Sequence, residues 1–283
     1  MTDPRRIITA VGLAAALSAT MVATAASATT TEALTVRYDV YLGGIHGLDA
    51  EFTLRRSAGR YAFESVSQTH GFWSYLFRWE SRSMGEGRIE DGRFVPAVHR
   101  ARSVGGGEPR GLDLLYDAEG NVSSVAIEPK SEETDRVPVP QALIRGAMDA
   151  TTGLIQALGT MPPGGACGGT IPVYDGRRRF DVRLAPQGTT DLAPNRYSSF
   201  AGPASVCRLT FRNVAGGRTP ERTAFWRRID AEGNAGFPTL VYLAPVAPGG
   251  EMMPVRVEVD SPFGWAIVHI KGVQAARTTA ERP

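Results

Sequence analysis

The sequence is short of lysine and has no excess of charge of either sign. Only Lys130 and Lys271 are lysines, so arginine supplies nearly all of the 31 basic side chains, which are balanced by 29 acidic ones. Nucleic-acid binding relies on a basic face, and a polybasic patch attracts a protein to an anionic membrane. We therefore expect neither a nucleic-acid partner nor electrostatic binding to a membrane.

Long hydrophobic runs are missing after residue 28, so we expect no transmembrane segment in the mature chain. At the N terminus, Arg5 and Arg6 precede an uncharged apolar stretch over residues 7–25, which ends in small residues at Ala28. This is the pattern of a secretory signal, with a membrane anchor as the alternative. We predict export to the periplasm with cleavage near Ala28. The context of the arginine pair favours the general secretory route over the twin-arginine route.

Cysteine is also scarce, with only Cys167 and Cys207 in the chain. Because disulfides persist in exported proteins, we predict that the two form a bridge, which would close a loop of about 40 residues. Two separate buried thiols are the alternative. Two cysteines without a neighbouring histidine make only half of a zinc site.

The sequence contains no motif of a known catalytic or cofactor site, such as HExxH, GxSxG or a P-loop. The four histidines are scattered along the chain, without ligand spacing: His46, His70, His99 and His269. We therefore expect no metal, no cofactor and no enzymatic activity. The alternative is a hydrolase of envelope material, since carboxylate pairs cleave glycosidic bonds. Its acid–base candidates are Asp39, Glu64, Glu80 and His70.

Apolar and polar residues alternate along most of the remaining chain, which is typical of half-buried strands. Gly43-Gly44 and His46-Gly47 are expected to break the first of them. The pattern predicts a mostly β protein with one large, curled antiparallel sheet. The expected strands are 35–42, 50–55, 61–67, 79–88, 94–103, 111–116, 122–128, 171–174, 179–184, 206–214, 223–229, 240–243, 255–259 and 265–270.

One mid-chain helix interrupts this pattern. Residues 147–158 (AMDATTGLIQAL) have apolar positions at helical spacing, with Asp149 or Thr151 as the cap. Asp175-Gly176 predicts a tight hairpin further on. We expect a single β-rich domain over residues 29–273 and a flexible tail over residues 274–283.

These segments together resemble a known family. The matching blocks are YDVYLGG from Tyr38, DATTGLIQAL from Asp149, CGGTIPVYDGRRRFDV from Cys167, the second cysteine and PVRV from Pro254. The set is similar to the exported bacterial family called domain of unknown function 3108, over nearly all of the mature chain. The resemblance implies a sheet curled into an open barrel or β-spiral around a helix, as in envelope proteins that carry or sense lipids and lipoproteins. It assigns no activity.

Two segments are candidate contact surfaces. Arg177 and Arg179 can clamp a carboxylate or phosphate, because guanidinium is a planar bidentate donor; the alternative is that Asp175 fixes the hairpin and pairs with arginines of neighbouring strands. The aromatic segment is either an exposed hydrophobic flap, which would meet a lipid or a partner, or a buried plug inside the sheet. Its candidate residues are Phe72, Trp73, Tyr75, Phe77 and Trp79.

We therefore expect a non-enzymatic envelope protein that binds a hydrophobic ligand, such as a lipid, in the concave face of its sheet and supports envelope integrity. A lipoprotein or another envelope protein is the alternative occupant of that face. Curled antiparallel sheets can enclose one small ligand. A scaffold that binds only protein remains a further alternative.

Overall fold

The computed structural model describes residues 29–129, 137–162, 165–216, 239–246, 252–260 and 265–280. The signal peptide predicted for residues 1–28 and the strand predicted at residues 223–229 lie outside these ranges. Within them, thirteen strands form one sheet in which every neighbouring pair is antiparallel. The prediction of a mostly β protein with a large antiparallel sheet is confirmed.

The strands are β1 Thr29–Leu42, β2 Ile45–Ser57, β3 Arg60–Thr69, β4 Trp79–Glu90, β5 Arg93–Gly105, β6 Glu108–Tyr116, β7 Val122–Glu128, β8 Gly169–Tyr174, β9 Arg178–Leu192, β10 Gly202–Gly216, β11 Thr239–Pro245, β12 Met252–Val259 and β13 Ala266–Ala280. The described helices are α1 Trp73–Leu76, α2 Gln141–Ile144 and α3 Ala150–Gly159.

The order of the strands places the first and last of them at the middle of the sheet. The sequence of neighbours is β7-β6-β5-β4-β3-β2-β1-β13-β12-β11-β10-β9-β8, so the described edges are β7 and β8. These two edges are consecutive in the chain, and α2 and α3 lie in the connection between them. The sheet is therefore two meanders, joined where β1 pairs with β13 and open where the chain passes through the helices.

Side chains from the two ends of the sheet meet, which shows that the sheet is curled. Leu114 and Val122 of the β6–β7 end form a buried apolar cluster with Tyr174 of β8. At the tip of the β8–β9 hairpin, a Cβ on Gly176 would lie only 2.5 Å from Leu112 Cδ1. Only glycine fits this approach, because its φ of 83° is also in the left-handed region. The two edges thus approach one another through side-chain packing, while the sheet stays open, because the described β7 and β8 share no hydrogen-bond ladder.

Helix α3 packs against both meanders from the concave side. Ile155 joins an apolar cluster with Leu54 and Phe94 of the N-terminal meander. Leu158, one turn later, packs in a second cluster with Leu184 and other residues of the C-terminal meander. The apolar residues of α3 therefore connect the two halves.

The predicted disulfide between Cys167 and Cys207 is confirmed. Both cysteines are buried in the cluster that contains Leu158, so the bridge ties the segment after α3 to β10. The predicted helix is also confirmed, but it begins at Ala150. Asp149 is its N-cap and accepts a hydrogen bond from the Thr152 backbone N–H at 2.8 Å. Because an N-cap residue has a non-helical backbone, the helix does not reach back to residue 147.

Two other expectations differ from the structure. His46-Gly47 does not end a strand: it lies within β2, where the pairing with β1 shifts register between Val40 and Tyr41. Residues 274–280, expected as a flexible tail, continue β13 and pair with the first residues of β1. The side chains of residues 274–279 are exposed and give no apolar alternation, so this strand is defined by its backbone hydrogen bonds with β1, which composition does not indicate.

Candidate functional site

A cavity of about 730 Å³ lies between the concave face of the sheet and α3. Ligand pockets in proteins typically measure about 300–1,000 Å³ and are mostly apolar. Much of the lining follows from the strand period of two, because every second residue of a regular strand points inward, although residues 50–52 and 252–254 line the cavity as consecutive residues. The described lining residues from the strands and their turns are Tyr38, Val40, Ala50, Glu51, Phe52, Leu54, Arg56, Ser65, Ile89, Gly92, Phe94, Met252, Met253, Pro254, Val257 and Val268.

Helix α3 and the residue after its end supply the remaining described wall: Thr151, Leu154, Ile155, Leu158, Gly159 and Met161. Leu154 is 37% exposed although it belongs to the helix that packs on the sheet, because its side chain faces this space. Three of the lining residues are methionines, whose unbranched and polarizable side chains adapt to irregular apolar shapes. The wall is therefore apolar and adjustable.

Polar groups are few in this lining. Glu51 and Arg56 are the charged members among the described residues. The Glu51 carboxylate pairs with Arg37 at 2.8 Å, and the Arg56 guanidinium lies 5.8 Å from the centre of the Phe94 ring. Burial raises the pKa of the Tyr38 phenol above its usual range, so this lining hydroxyl stays neutral. The cavity therefore suits an apolar molecule or the apolar part of an amphiphile.

A buried polar cluster fixes the start of α3 beside the cavity. The Tyr116 hydroxyl accepts a hydrogen bond from the Asp149 backbone N–H at 3.0 Å and donates to Asp149 Oδ2 at 3.3 Å. His99 Nδ1 lies 3.3 Å from Asp149 Oδ1, and the Tyr61 and Thr152 hydroxyls are 3.4 Å apart. Burial first, and then the Asp149 carboxylate, raise the pKa of Tyr116, which keeps its hydroxyl a donor. These contacts anchor the helix that forms the cavity wall.

The aromatic segment lies outside the barrel rather than within it. Phe72 is 66% exposed and Tyr75 89% exposed, and both belong to the turn of helix that includes α1. Phe77 is exposed, while Trp73 and Trp79 are half-buried. None of these five side chains is among the cavity-lining residues, so the buried-plug alternative is wrong for the exposed members. The segment is an exposed apolar surface next to β3 and β4.

Arg177 and Arg179 are separated from the cavity as well. The Arg179 guanidinium donates to Asp181 at 2.7 Å and to the Leu143 carbonyl at 3.1 Å, and Arg212 shares the same Asp181 carboxylate. Asp175 accepts from the backbone N–H of Arg177 at 3.0 Å. The Arg179 guanidinium is therefore held by Asp181 and a backbone carbonyl, and the structure favours the alternative in which acidic residues hold the hairpin and its strands.

Two of the histidines that are scattered along the sequence meet in the structure. The rings of His46 and His70 stack with their centres 3.9 Å apart, on the convex face of the sheet. Asp49 lies between them, 3.0 Å from His46 Nε2 and 2.8 Å from His70 Nδ1. Their spacing in the sequence gave no signal for this cluster, because it depends on the bulge within β2 and on the end of β3.

The other acid–base candidates of the hydrolase alternative do not gather in the cavity. Glu64 pairs with Arg82 at 3.4 Å, and Glu80 pairs with Arg78 at 2.9 Å. Asp39 lies near His46, at 3.7 Å, on the convex face. These three carboxylates thus lie away from the cavity, and the buried His99–Asp149 contact belongs to the cluster that anchors α3. Sequence analysis did not name the cavity-lining residues, although strand parity indicates many of them.

Comparison with protein families identifies the chain. The model of the family described as protein of unknown function (DUF3108) matches residues 37–271. The chain belongs to this family. Comparison with curated protein sequences gives no match. Among solved structures, a β-barrel-like protein of domain of unknown function DUF1849 from Brucella abortus is similar, with a TM-score of 0.47 and 11% identity over 86% of this chain and 98% of the other. No helix in the described part of this DUF3108 protein is long and apolar enough to cross a membrane.

Proposed function

We propose that this DUF3108 protein is a non-enzymatic, exported binding protein that takes a hydrophobic ligand into the cavity between its sheet and α3. The observation that carries the proposal is the cavity itself, about 730 Å³ in volume and lined mainly by aliphatic, aromatic and methionine side chains. An apolar ligand in a space of this size would make close packing contacts with the side chains of the wall.

The ligand class follows from the distribution of polarity. A molecule with a long apolar part would remove most of its surface from water against Phe52, Leu154 and Met253, at about 25 cal/mol for each Å² buried. The Arg56 guanidinium lies on the same inward face of β2 as Phe52 and Leu54, so an amphiphile has a place for a polar end there. We infer a lipid-like molecule of the cell envelope as the occupant.

The export signal predicted for residues 1–28 supports a place in the periplasm, where such a protein would act on envelope lipids and so support envelope integrity. The disulfide agrees with an oxidising compartment. An envelope protein that inserts an apolar segment is the competing occupant of the same cavity.

The proposal is tested with a fluorescent fatty-acid probe, cis-parinaric acid, on the purified mature protein. We expect saturable binding, and we expect Leu154→Glu to weaken it at least tenfold, because the substitution places a carboxylate in the apolar wall. Leu143→Glu is the matched control: Leu143 is 40% exposed, close to the 37% of Leu154, but it lies on α2 and does not line the cavity.

Equal probe affinity for the two variants would contradict the proposal, provided that both melt at the temperature of the unmodified protein within a few degrees. Native mass spectrometry of protein purified from its own periplasm supplies the second measurement. A measured mass equal to protein plus lipid supports the proposal. A mass of the protein alone, together with no probe binding, would overturn it.

A further inference from the structure

A second candidate site lies on the convex face, on the side of the β1–β2 hairpin opposite the cavity. Asp39 of β1 pairs with Asp49 of β2, and both side chains point outward because the inward positions beside them are Tyr38 and Ala50. His70 follows the end of β3, the strand next to β2. Three neighbouring strands therefore bring polar ligand-type side chains to one place.

A β-bulge brings His46 onto this face. Residues three apart in a regular strand point to opposite faces, so His46 and Asp49 would be separated by the sheet. The register between β1 and β2 shifts at this point: Leu48 pairs with Val40, but His46 pairs with Tyr41, which leaves Gly47 as the extra residue. Such bulges re-aim side chains and are common beside functional sites. The Gly47 carbonyl accepts a hydrogen bond from the His70 backbone N–H at 2.8 Å, which links the two histidine positions.

The donor atoms of this cluster have the separations of a metal-ligand set. His46 Nε2 is 3.0 Å from Asp49 Oδ1 and 3.7 Å from Asp39 Oδ1, and His70 Nδ1 is 2.8 Å from Asp49 Oδ2. Zinc–nitrogen and zinc–oxygen bonds of 2.0–2.2 Å place tetrahedral ligand atoms about 3.3 Å apart. The observed distances lie on both sides of this value, and one ligand atom from each of His46, Asp49 and His70 lies within 4.8 Å of the other two.

The oxygens of the cluster outnumber the hydrogens that the histidines can offer them. His46 Nε2 faces three oxygens, since the Leu48 carbonyl is also within 3.2 Å, but one imidazole nitrogen carries at most one hydrogen. Lys271, 3.4 Å from Asp39 Oδ2, neutralises one of the two carboxylates. A divalent cation would satisfy the remaining charge and the oxygens at once.

We propose that His46, Asp49 and His70, with Asp39 beside them, bind a divalent transition-metal ion of the zinc type. Imidazole and carboxylate ligands together suit this class better than calcium or magnesium, which prefer oxygen ligands only. The cluster is open to solvent, because His70 and Asp49 are each nearly half-exposed, so the ion can enter and one position stays available to water. This site is independent of the cavity and of the proposed lipid-like ligand.

The test uses the mature protein expressed without a histidine tag, stripped with chelator and titrated with Zn²⁺ by isothermal calorimetry. We expect one zinc ion per chain, with His46→Ala, His70→Ala and Asp49→Asn each weakening binding at least tenfold. Titration with Co²⁺ supplies a spectroscopic measurement, since visible absorption bands of the bound ion report nitrogen and oxygen ligation and should disappear in the double histidine variant.

Glu51→Gln is the matched control, because Glu51 is the next carboxylate on β2 and pairs with Arg37 rather than with a histidine. It should bind zinc as the unmodified protein does. Absence of stoichiometric zinc binding would overturn the proposal, as would zinc binding that survives in the double histidine variant. Far-ultraviolet circular dichroism of each variant confirms folding, and His70→Ala is the safest variant because His70 lies beyond the end of β3.

Discussion

The two faces of the β1–β2 hairpin carry opposite chemistries. Tyr38, Ala50 and Phe52 point into the apolar cavity, while Asp39 and Asp49 belong to the polar cluster on the convex side. The same backbone serves both, because successive side chains of a strand alternate between faces. The hairpin thus offers space for an apolar molecule on one side and for a cation on the other.

The two faces differ in how much of the fold each requires. The cavity needs strands from both meanders and α3, whose position depends on the Asp149 cluster and on the disulfide. The convex cluster needs only the β1–β2 hairpin with its bulge and the end of β3. We therefore expect changes around α3 to affect the inner face and to spare the outer one.

The largest expected effect comes from replacing both cysteines, Cys167→Ser with Cys207→Ser. The bridge spans 40 residues, and its loss should lower the free energy of unfolding by about 4 kcal/mol, because the unfolded chain regains loop entropy. Urea unfolding of the mature protein measures this. Among molecules that remain folded, probe binding in the cavity should weaken while zinc binding does not. A loss of zinc affinity as large as the loss of probe affinity would contradict the separation of the two faces.

A smaller effect is expected from Asp149→Ala. The substitution removes the cap of α3 and leaves the buried Tyr116 hydroxyl without its acceptor, so the free energy of unfolding should fall by about 2–3 kcal/mol. Chemical denaturation measures this difference. Glu51→Gln, which breaks the exposed pair with Arg37 on the outer face, is the control and should cost less than about 1 kcal/mol. Similar losses in the two variants would show that the Asp149 cluster does not anchor the helix.

Sequence patterns predict the parts of this fold that depend on local periodicity. Alternation indicates the strands, the helical spacing of Leu154 and Leu158 indicates α3, and two cysteines after a predicted export signal indicate the disulfide. The extension of β13 to Ala280 was not predicted, because its side chains are polar and its partner is more than 240 positions away, as the Glu32–Arg277 hydrogen bond shows. Because the two paired segments are so far apart in the chain, no short stretch of sequence contains a pattern that predicts their pairing.

The sites were less predictable than the fold. The inward parity of Tyr38 and Phe52 can be read from the sequence, but the volume left between the sheet and α3 depends on how tightly thirteen strands curl. The cluster of His46 and His70 depends on a one-residue register shift, and such a shift reverses the face of every residue beyond it. The exposed position of the aromatic segment depends on α1, a single turn without apolar periodicity of its own.

The smallest expected effect concerns His269, which lies opposite Asp39 in the β1–β13 pairing and therefore also faces outward. Unlike His46, it is covered: the Tyr197 ring stacks on it with centres 5.8 Å apart, and only 5% of the residue is exposed. Burial first, and then the positive charge of Arg256, lower the pKa of His269, although Asp39 and Glu258 oppose the shift.

This lowered pKa has a definite consequence for stability. In the unfolded chain the imidazole at this position takes up a proton below about pH 6.5, whereas in the folded protein it does so only at lower pH. The free energy of unfolding should therefore decrease as the pH falls below about 6.5. His269→Gln should reduce that decrease, as measured by urea unfolding of metal-free protein at pH 7.5, 6.5 and 5.5. An unchanged pH dependence would mean that the cover provided by Tyr197 does not exclude water, and that His269 is as accessible as the histidines of the convex cluster.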